Sequence, residues 1–243
     1  MTDTAPATDV TEPLHRDDGY LRECAARVIA VDGSLVRTDR TVFYARGGGQ
    51  PGDTGRIVRL SDGDAFDVVD ARPEGGAHAH VLGEGHGLAV GDEVRLELDW
   101  ERRHRIMRHH GALHMLCAAV PAAVTSGSIR TDQARLDFDL PEPVDRDEIT
   151  EALNALVERD APMTTRRIPD AELDAHPELV RTRAVRPPRD GSGTVRLVEY
   201  EGIDLQPCGG THVASSGEIG RLRVRKIEKK GRANRRIILV LES

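Results

Sequence analysis

With 243 residues, 38% hydrophobic and 31% charged, the chain has a globular composition and is long enough for one large domain or two modest ones. No apolar run approaches the roughly twenty residues that a membrane-spanning helix needs, and a formal net charge of −7 argues against a general coat for nucleic acid. Cys24, Cys117 and Cys208, an odd number without a pairing pattern, argue against a disulfide framework and for a reducing, cytoplasmic setting.

Residues 1–18 (MTDTAPATDVTEPLHRDD) are polar, acidic and rich in Thr and Pro, and lack the basic and apolar regions of a signal peptide. They read as a disordered leader. Residues 19–100 read as short β-strands broken by turn signals. ARVIAVDGSLVRTD carries an Asp32-Gly33 hairpin turn, and TVFYARGGGQPGDTGRIVRL places strands on either side of a glycine-rich loop. FDVVDARPEGGAHAHVLG and GLAVGDEVRLELDW are again β-rich. Many short strands without helices predict a small barrel or sandwich.

The pattern changes near Trp100. In ERRHRIMRHHGALHMLCAAV, Ile106, Met107, Leu113, Leu116, Cys117 and Val120 recur at helical spacing until Pro121 ends the helix. SGSIRTDQARLDFDL reads as a turn and a strand, and DRDEITEALNALVERDA as an amphipathic helix burying Ile149, Leu153, Leu156 and Val157. Residues 162–200 yield one strand, TVRLVEY, and GEIGRLRVRKIEKKGRANRRIILVLES reads as a terminal β-hairpin. The expected fold class is α+β: a small N-terminal β-barrel over 19–100, then an α/β unit over 101–243.

Three segments carry candidate chemistry. His110 and His114 stand four residues apart on the predicted helix, on one face and roughly 6 Å apart, a spacing that suits one metal ion. Cys208-Gly-Gly-Thr-His212 adds a thiol and a third imidazole on a tight turn, completing a Cys-His₃ set suited to Zn²⁺. Without a partner motif, each half reads as buried or hydrogen-bonded residues. The third segment, Tyr44–Gly55, lets the backbone of Gly48 and Gly49 approach a ligand closely. It lacks the Lys-Ser/Thr of a nucleotide loop and the helix that follows a dinucleotide loop. His78, His80 and His86 read as exposed residues of turn-prone sequence, and His104 and His109 as surface residues flanking the metal pair. Basic residues cluster at Arg102, Arg103, Arg105 and Arg108 and again from Arg221 to Arg236, which suits phosphate contacts as well as a solvated charged face.

In that order, FYARGGGQPGDTG, RRHRIMRHHGALHMLCAA, CGGTHV and GEIGRLRVRKIEKKG resemble the AlaX family of alanyl-tRNA editing proteins, medium type, and the editing domain of alanyl-tRNA synthetase. The resemblance implies a translation-factor-like barrel followed by the editing fold shared with threonyl-tRNA synthetases. It implies Zn²⁺ on His110, His114, Cys208 and His212, with Gln50 and the preceding Gly48 and Gly49 assisting the active site. The implied reaction is removal of serine, and secondarily glycine, from tRNA specific for alanine. Nothing resembles a class II aminoacylation core, so editing in trans without ATP, away from membranes, is expected. Thr211, held beside the metal positions, is a candidate to hydrogen-bond substrate; zinc or Thr131, expected on the strand after the metal helix, is the candidate to recognise the serine hydroxyl, with Ser126 and Ser128 as alternatives. Arg102, Arg103, Arg105, Arg108, Arg232, Arg235 and Arg236 are the expected tRNA contacts. Other readings stay open: a non-enzymatic zinc-stabilised RNA-binding module, a release-factor-like protein suggested by the tripeptide Gly48-Gly49-Gln50, and a metal hydrolase of small esters.

Overall fold

The computed structural model describes residues 10–182 and 193–242, a mixed α+β chain that is mostly sheet. It divides into two compact units, Met1–Gly47 with Pro51–Arg103 and Gly48–Gln50 with His104–Ser243. The middle of the glycine-rich loop therefore belongs with the second unit, whereas the sequence places the whole loop with the first. Among the described residues no helix is long and apolar enough to cross a membrane.

The first unit comprises β1 (Glu12–Pro13), β2 (Glu23–Asp32), β3 (Leu35–Thr38), β4 (Arg40–Thr41), β5 (Gly55–Arg59), β6 (Ala65–Glu74), β7 (Ala77–Leu82) and β8 (Glu93–Leu98). Six of these pair in a closed ring, β2-β3-β7-β6-β5-β8, with every neighbour antiparallel. Closure leaves no unpaired edge. Alternate residues such as Val94 and Leu96 on β8 turn inward, meeting Val28, Val36, Ile57 and Val68 in one apolar cluster. Gly33-Ser34 joins β2 to β3, one residue beyond the Asp32-Gly33 turn expected from sequence, and Gly75-Gly76 joins β6 to β7.

Several expectations change here. Residues 1–9 of the expected leader lie outside the described residues, but residues 10–18 are ordered. There β1 pairs in parallel with β4, and the buried Thr11 hydroxyl donates to Thr38 O at 2.7 Å. His80 is buried rather than exposed: Nδ1 lies 3.0 Å from Val36 O and Nε2 lies 2.8 Å from Thr41 Oγ1. A carbonyl only accepts, so Nδ1 carries the proton and Nε2 accepts from the threonine. Burial pushes its pKa down to about 4, against the opposing pull of the Val36 carbonyl. His78 and His86 are half-buried. Arg103 is also fully buried, which removes it as a phosphate contact. Its guanidinium pairs with Asp53 through Nε (3.1 and 3.0 Å) and Nη2, and donates to Val42 O at 2.7 Å and Gly19 O at 3.0 Å. Breaking one half of such a pair leaves an uncompensated buried charge, a loss of about 3–5 kcal/mol.

The second unit contains most of α1 (Trp100–Ala119), then β9 (Val124–Ile129), β10 (Ala134–Asp139), α2 (Arg146–Glu158), β11 (Met163–Pro169), α3 (Asp170–Ala175), β12 (Thr194–Tyr200), β13 (Asp204–Pro207), β14 (Leu222–Lys229) and β15 (Asn234–Leu241). One sheet runs β14-β15-β10-β9 and another β11-β12-β13, both antiparallel throughout. From His109 to Cys117 every residue of α1 is buried, so this stretch is enclosed on all sides instead of showing one apolar stripe. Helix α2 starts at Asp145, whose side chain accepts from the Asp147 and Glu148 amides at 2.7 and 2.9 Å. It buries Ile149, Leu153 and Val157, while Asn154 exchanges two 2.9 Å bonds with the Leu222 backbone, locking α2 to β14.

Ser126–Ser128, expected in a turn, lie within β9, and Thr131 sits in the bend before β10 instead of on a strand. His109 is buried, not on the surface. Its Nδ1 is 3.1 Å from Arg105 O, and burial lowers its pKa to about 4.

Candidate metal centre

Helix α1 and the loop after β13 bring His110, His114, Cys208 and His212 together, with their ligand atoms all within 4.8 Å of one another. Cys208 Sγ is 3.4 Å from His110 Nε2 and 3.5 Å from His212 Nε2, and the Nε2 atoms of His114 and His212 are 3.0 Å apart. A tetrahedron with metal–ligand bonds of about 2.0–2.3 Å has edges of roughly 3.3–3.6 Å; the 3.4 and 3.5 Å sulfur–nitrogen distances match one zinc-sized ion, and the 3.0 Å nitrogen pair and the 4.8 Å outer limit call for small side-chain shifts around it.

The outward sides of the rings fix their tautomers. His114 Nδ1 meets Asp204 Oδ2 at 2.7 Å, and His110 Nδ1 meets Gln50 Oε1 at 2.9 Å. Both acceptors demand a proton on Nδ1, which leaves each Nε2 lone pair turned inward. His212 is buried with Nδ1 unpartnered, and its Nε2 faces another ring nitrogen. Converging lone pairs repel one another until a proton or a cation enters between them. The donor set therefore suits a metal ion. Burial opposes the Cys208 thiolate, but attraction to His110 and hydrogen bonds from His110 and His114 outweigh it and hold that pKa well below the ordinary thiol value. Burial, aided by charge on His110, holds the His212 pKa well below its usual value. His114 is also opposed by burial, yet the Asp204 carboxylate raises it to about 9.

Gln50 sits between two elements of the site. Its Oε1 accepts from His110 Nδ1 and from the Thr211 amide at 3.1 Å, while its Nε2 donates to Thr211 Oγ1 at 3.0 Å. The segment carrying it is seated on β9: Gly49 O accepts from Ile129 N at 2.8 Å, and a Cβ on Gly49 would stand 2.9 Å from Gly127 O. Gly210 permits an equally close approach, since a Cβ there would lie 2.2 Å from His110 Cε1 and 2.6 Å from Gln50 Oε1. Arg196 Nη1 fastens the loop by donating to Cys208 O at 2.9 Å and Gly210 O at 3.1 Å. Gly48 and Gly49 are exposed, but Gln50 is buried with its amide engaged by His110 and Thr211, which speaks against the release-factor-like reading.

The residues expected to contact tRNA behave unevenly. Arg235 is buried and donates to Pro141 O, and Arg236 grips Asp137 through two bonds of 2.8 and 2.9 Å, so both guanidinium groups serve the fold. Arg102 donates to Gly52 O and Arg108 to Ile219 O, each at 2.8 Å, and both are half-buried. Arg105 and Arg232 are exposed. Thr211 is buried beside the cluster, and Thr131 and the β9 serines are half-buried. Sequence reasoning missed Asp204, Gln206 and Arg196; the available signal for the first two was their spacing of two on β13, just before Cys208, and Arg196 on β12 offered none.

Comparison with known proteins agrees with this geometry. A family described as the threonyl and alanyl tRNA synthetase second additional domain matches residues 195–238, the span holding Cys208 and His212. A family described as tRNA synthetases class II (A) matches residues 18–102, which hold the β-barrel strands. The alanyl-tRNA editing protein AlaX-M of Methanosarcina barkeri is 38% identical over 96% of this chain and 99% of its own length. The chain belongs to the AlaX-M family. The Saccharolobus solfataricus AlaX-M is 33% identical over 94% of this chain and 98% of its own. The alanine–tRNA ligase of Saccharolobus islandicus is 30% identical over 94% of this chain but only 26% of the ligase. The AlaX-M relatives thus match along nearly their full length, whereas the ligase carries the matching part within a much longer protein.

Proposed function

We propose that the chain is an aminoacyl-tRNA deacylase that acts in trans, without ATP, on tRNA specific for alanine but charged with serine, and secondarily with glycine. The observation that carries this reading is the Cys-His₃ cluster with Gln50 and Thr211 packed against it. Zinc is the proposed ion, held by His110, His114, Cys208 and His212. Bound there, it supplies a Lewis acid for the ester carbonyl and lowers the pKa of water toward about 7.

The chain's own residues do the rest. Gln50 keeps the His110 proton on Nδ1 and holds Thr211 through two bonds, which gives it an orienting role. Thr211 Oγ1 accepts from Gln50, and its hydroxyl proton has no acceptor among the described residues, so it can donate to a serine hydroxyl or an ester oxygen. The Thr211 amide is committed to Gln50, leaving the backbone of Gly48, Gly49, Gly209 and Gly210 as the candidate oxyanion donors. Alanine is smaller than serine, so size cannot exclude it. A site that needs a hydroxyl partner rejects the methyl analogue by on the order of 10⁴, because its polar groups stay unpaired. Thr211 is the favoured partner; Thr131, Ser126 and Ser128 are the alternatives. Arg102, Arg105, Arg108 and Arg232 are the proposed phosphate contacts.

A second reading has one observation in its favour. Four protein ligands are the number of a closed, structural zinc site, as a zinc-stabilised RNA-binding module requires. Incubating the protein with seryl-, glycyl- and alanyl-tRNA, with and without chelator, separates the two. The deacylase reading expects serine release, sparing of alanyl-tRNA, and loss of turnover on chelation with the fold retained. Unfolding on chelation without any prior ester cleavage supports the binding module instead.

A further inference from the structure

We propose that Asp204 is a positioning residue that sets how tightly the cluster holds its cation, acting through His114; this rests on the metal reading above. Asp204 belongs to β13, where it pairs with Tyr200 of β12, so its backbone is fixed by the sheet. Its Oδ2 accepts from His114 Nδ1 at 2.7 Å and from Gln206 Nε2, also at 2.7 Å. The carboxylate thereby holds the ring in the one tautomer that aims Nε2 inward, and its charge makes that nitrogen a better donor.

The other oxygen is informative. Asp204 is 4% exposed, Oδ1 has no hydrogen-bond partner, and it faces Arg181 Nη2 across a long ion pair of 3.9 Å. A buried carboxylate oxygen without a hydrogen bond is costly, and the 3.9 Å ion pair with Arg181 offsets that cost only in part. The Asp204 carboxylate and the Cys208 thiolate together carry two negative charges, which a divalent cation between the rings neutralises. His110 has a different support, the uncharged amide of Gln50. The two supports share the orienting function, but only Asp204 contributes charge. Its loss should therefore weaken metal binding more than loss of Gln50.

The test uses the full chain, stripped of metal and titrated with zinc against a chromophoric chelator. Asp204→Asn is expected to weaken zinc binding about 10–100-fold, and Asp204→Glu to recover part of it. Thermal unfolding supplies the readout that a structural role would not move in the same way. The metal-free Asp204→Asn protein should be no less stable than metal-free wild type, and should fall behind it only when zinc is added. If Asp204→Asn fails to fold, Gln206→Leu keeps the carboxylate but removes its second donor, and should weaken zinc binding by several-fold. Wild-type zinc affinity in Asp204→Asn, or in Gln206→Leu where that variant must stand in, overturns the assignment alone. Failure of the wild-type chain to take up zinc overturns the metal reading and this assignment with it.

Discussion

His80 in the barrel and His212 in the cluster are both buried imidazoles with strongly depressed proton affinity, yet they are opposite in kind. Every polar atom of His80 finds its complement within the chain, a carbonyl for Nδ1 and a hydroxyl for Nε2. His212 has an unpartnered Nδ1 and an Nε2 that faces another ring nitrogen 3.0 Å away. Burial alone therefore does not separate a fold histidine from a site histidine. Convergence does: the inward nitrogens of His110, His114 and His212 meet one another and Cys208, whereas His109, also buried with an unpartnered Nε2, joins no such group among the described residues. The arginines divide by partner: Arg103, Arg235 and Arg236 are spent on Asp53, Pro141 and Asp137, whereas Arg105 and Arg232 reach solvent.

The largest effect should come from breaking the unsatisfied group itself. Cys208→Ser removes the thiolate that touches two of the three rings. Zinc affinity and serine release should each fall by more than about 10²-fold, beyond the loss typical of a supporting residue. Circular dichroism should change little, because neither sheet draws on that side chain. Wild-type cleavage of seryl-tRNA by this variant would remove the cluster from the chemistry.

Gly210→Ala comes next. The φ angle at Gly210 is not in the left-handed range, so the backbone tolerates alanine, but the added Cβ would stand 2.2 Å from His110 and 2.6 Å from Gln50. Either the ring or the amide must move, and the shared bond between them breaks. Zinc binding and serine release should drop about 10–100-fold, with the melting temperature of the first unit unchanged. An unaltered zinc titration would show that the ring does not need its Gln50 partner.

His80 sharpens the comparison from the other side. Its folded pKa is about 4 against an ordinary value of 6.5. As pH falls below the unfolded value, the unfolded chain takes up a proton that the folded chain refuses until pH 4, so stability present at pH 7 drains away through that window. Between pH 7 and pH 5 this amounts to about 2 kcal/mol from this one group. In His80→Gln the same stretch should cost less by about that amount, while zinc binding stays as in wild type. Trp100, the single tryptophan, lies in the same unit and reports its unfolding by fluorescence. Parallel acid profiles for the two proteins would refute the depressed pKa.

How much of this was legible beforehand follows from where each signal is stored. The i,i+4 spacing of His110 and His114 and the short Cys208–His212 motif lie along the chain, and the structure brings those residues together. The asymmetric support of the rings does not lie along it. Asp204 meets His114 across 90 positions and Gln50 meets His110 across 60, contacts that exist only after sheets and helices pack. Strand β9 was obscured because its Ser-Gly-Ser run has turn chemistry, overridden by pairing with β10. Strand β11, MTTRRIP, has one fully buried residue, so no apolar alternation marks it. The histidines of the barrel misled for the converse reason: glycine-rich surroundings suggest exposure, but closure of the ring encloses His80.

The smallest effect tests the same distinction among the cations. Arg232 is exposed in the turn between β14 and β15, while Arg235, three residues on, is buried against Pro141. If satisfied groups serve the fold and open ones serve the ligand, the two substitutions must fail differently. Arg232→Ala should leave the melting temperature alone, raise KM for seryl-tRNA by a few-fold, and reduce the salt dependence of binding by about one unit in the logarithmic slope. Arg235→Ala should lower the melting temperature and leave the salt slope where it was, because its charge neutralises no phosphate. A salt slope that responds to Arg235 and ignores Arg232 would mean that the buried side chain is released on binding, and that partners seen in the free protein do not predict which cations the RNA recruits.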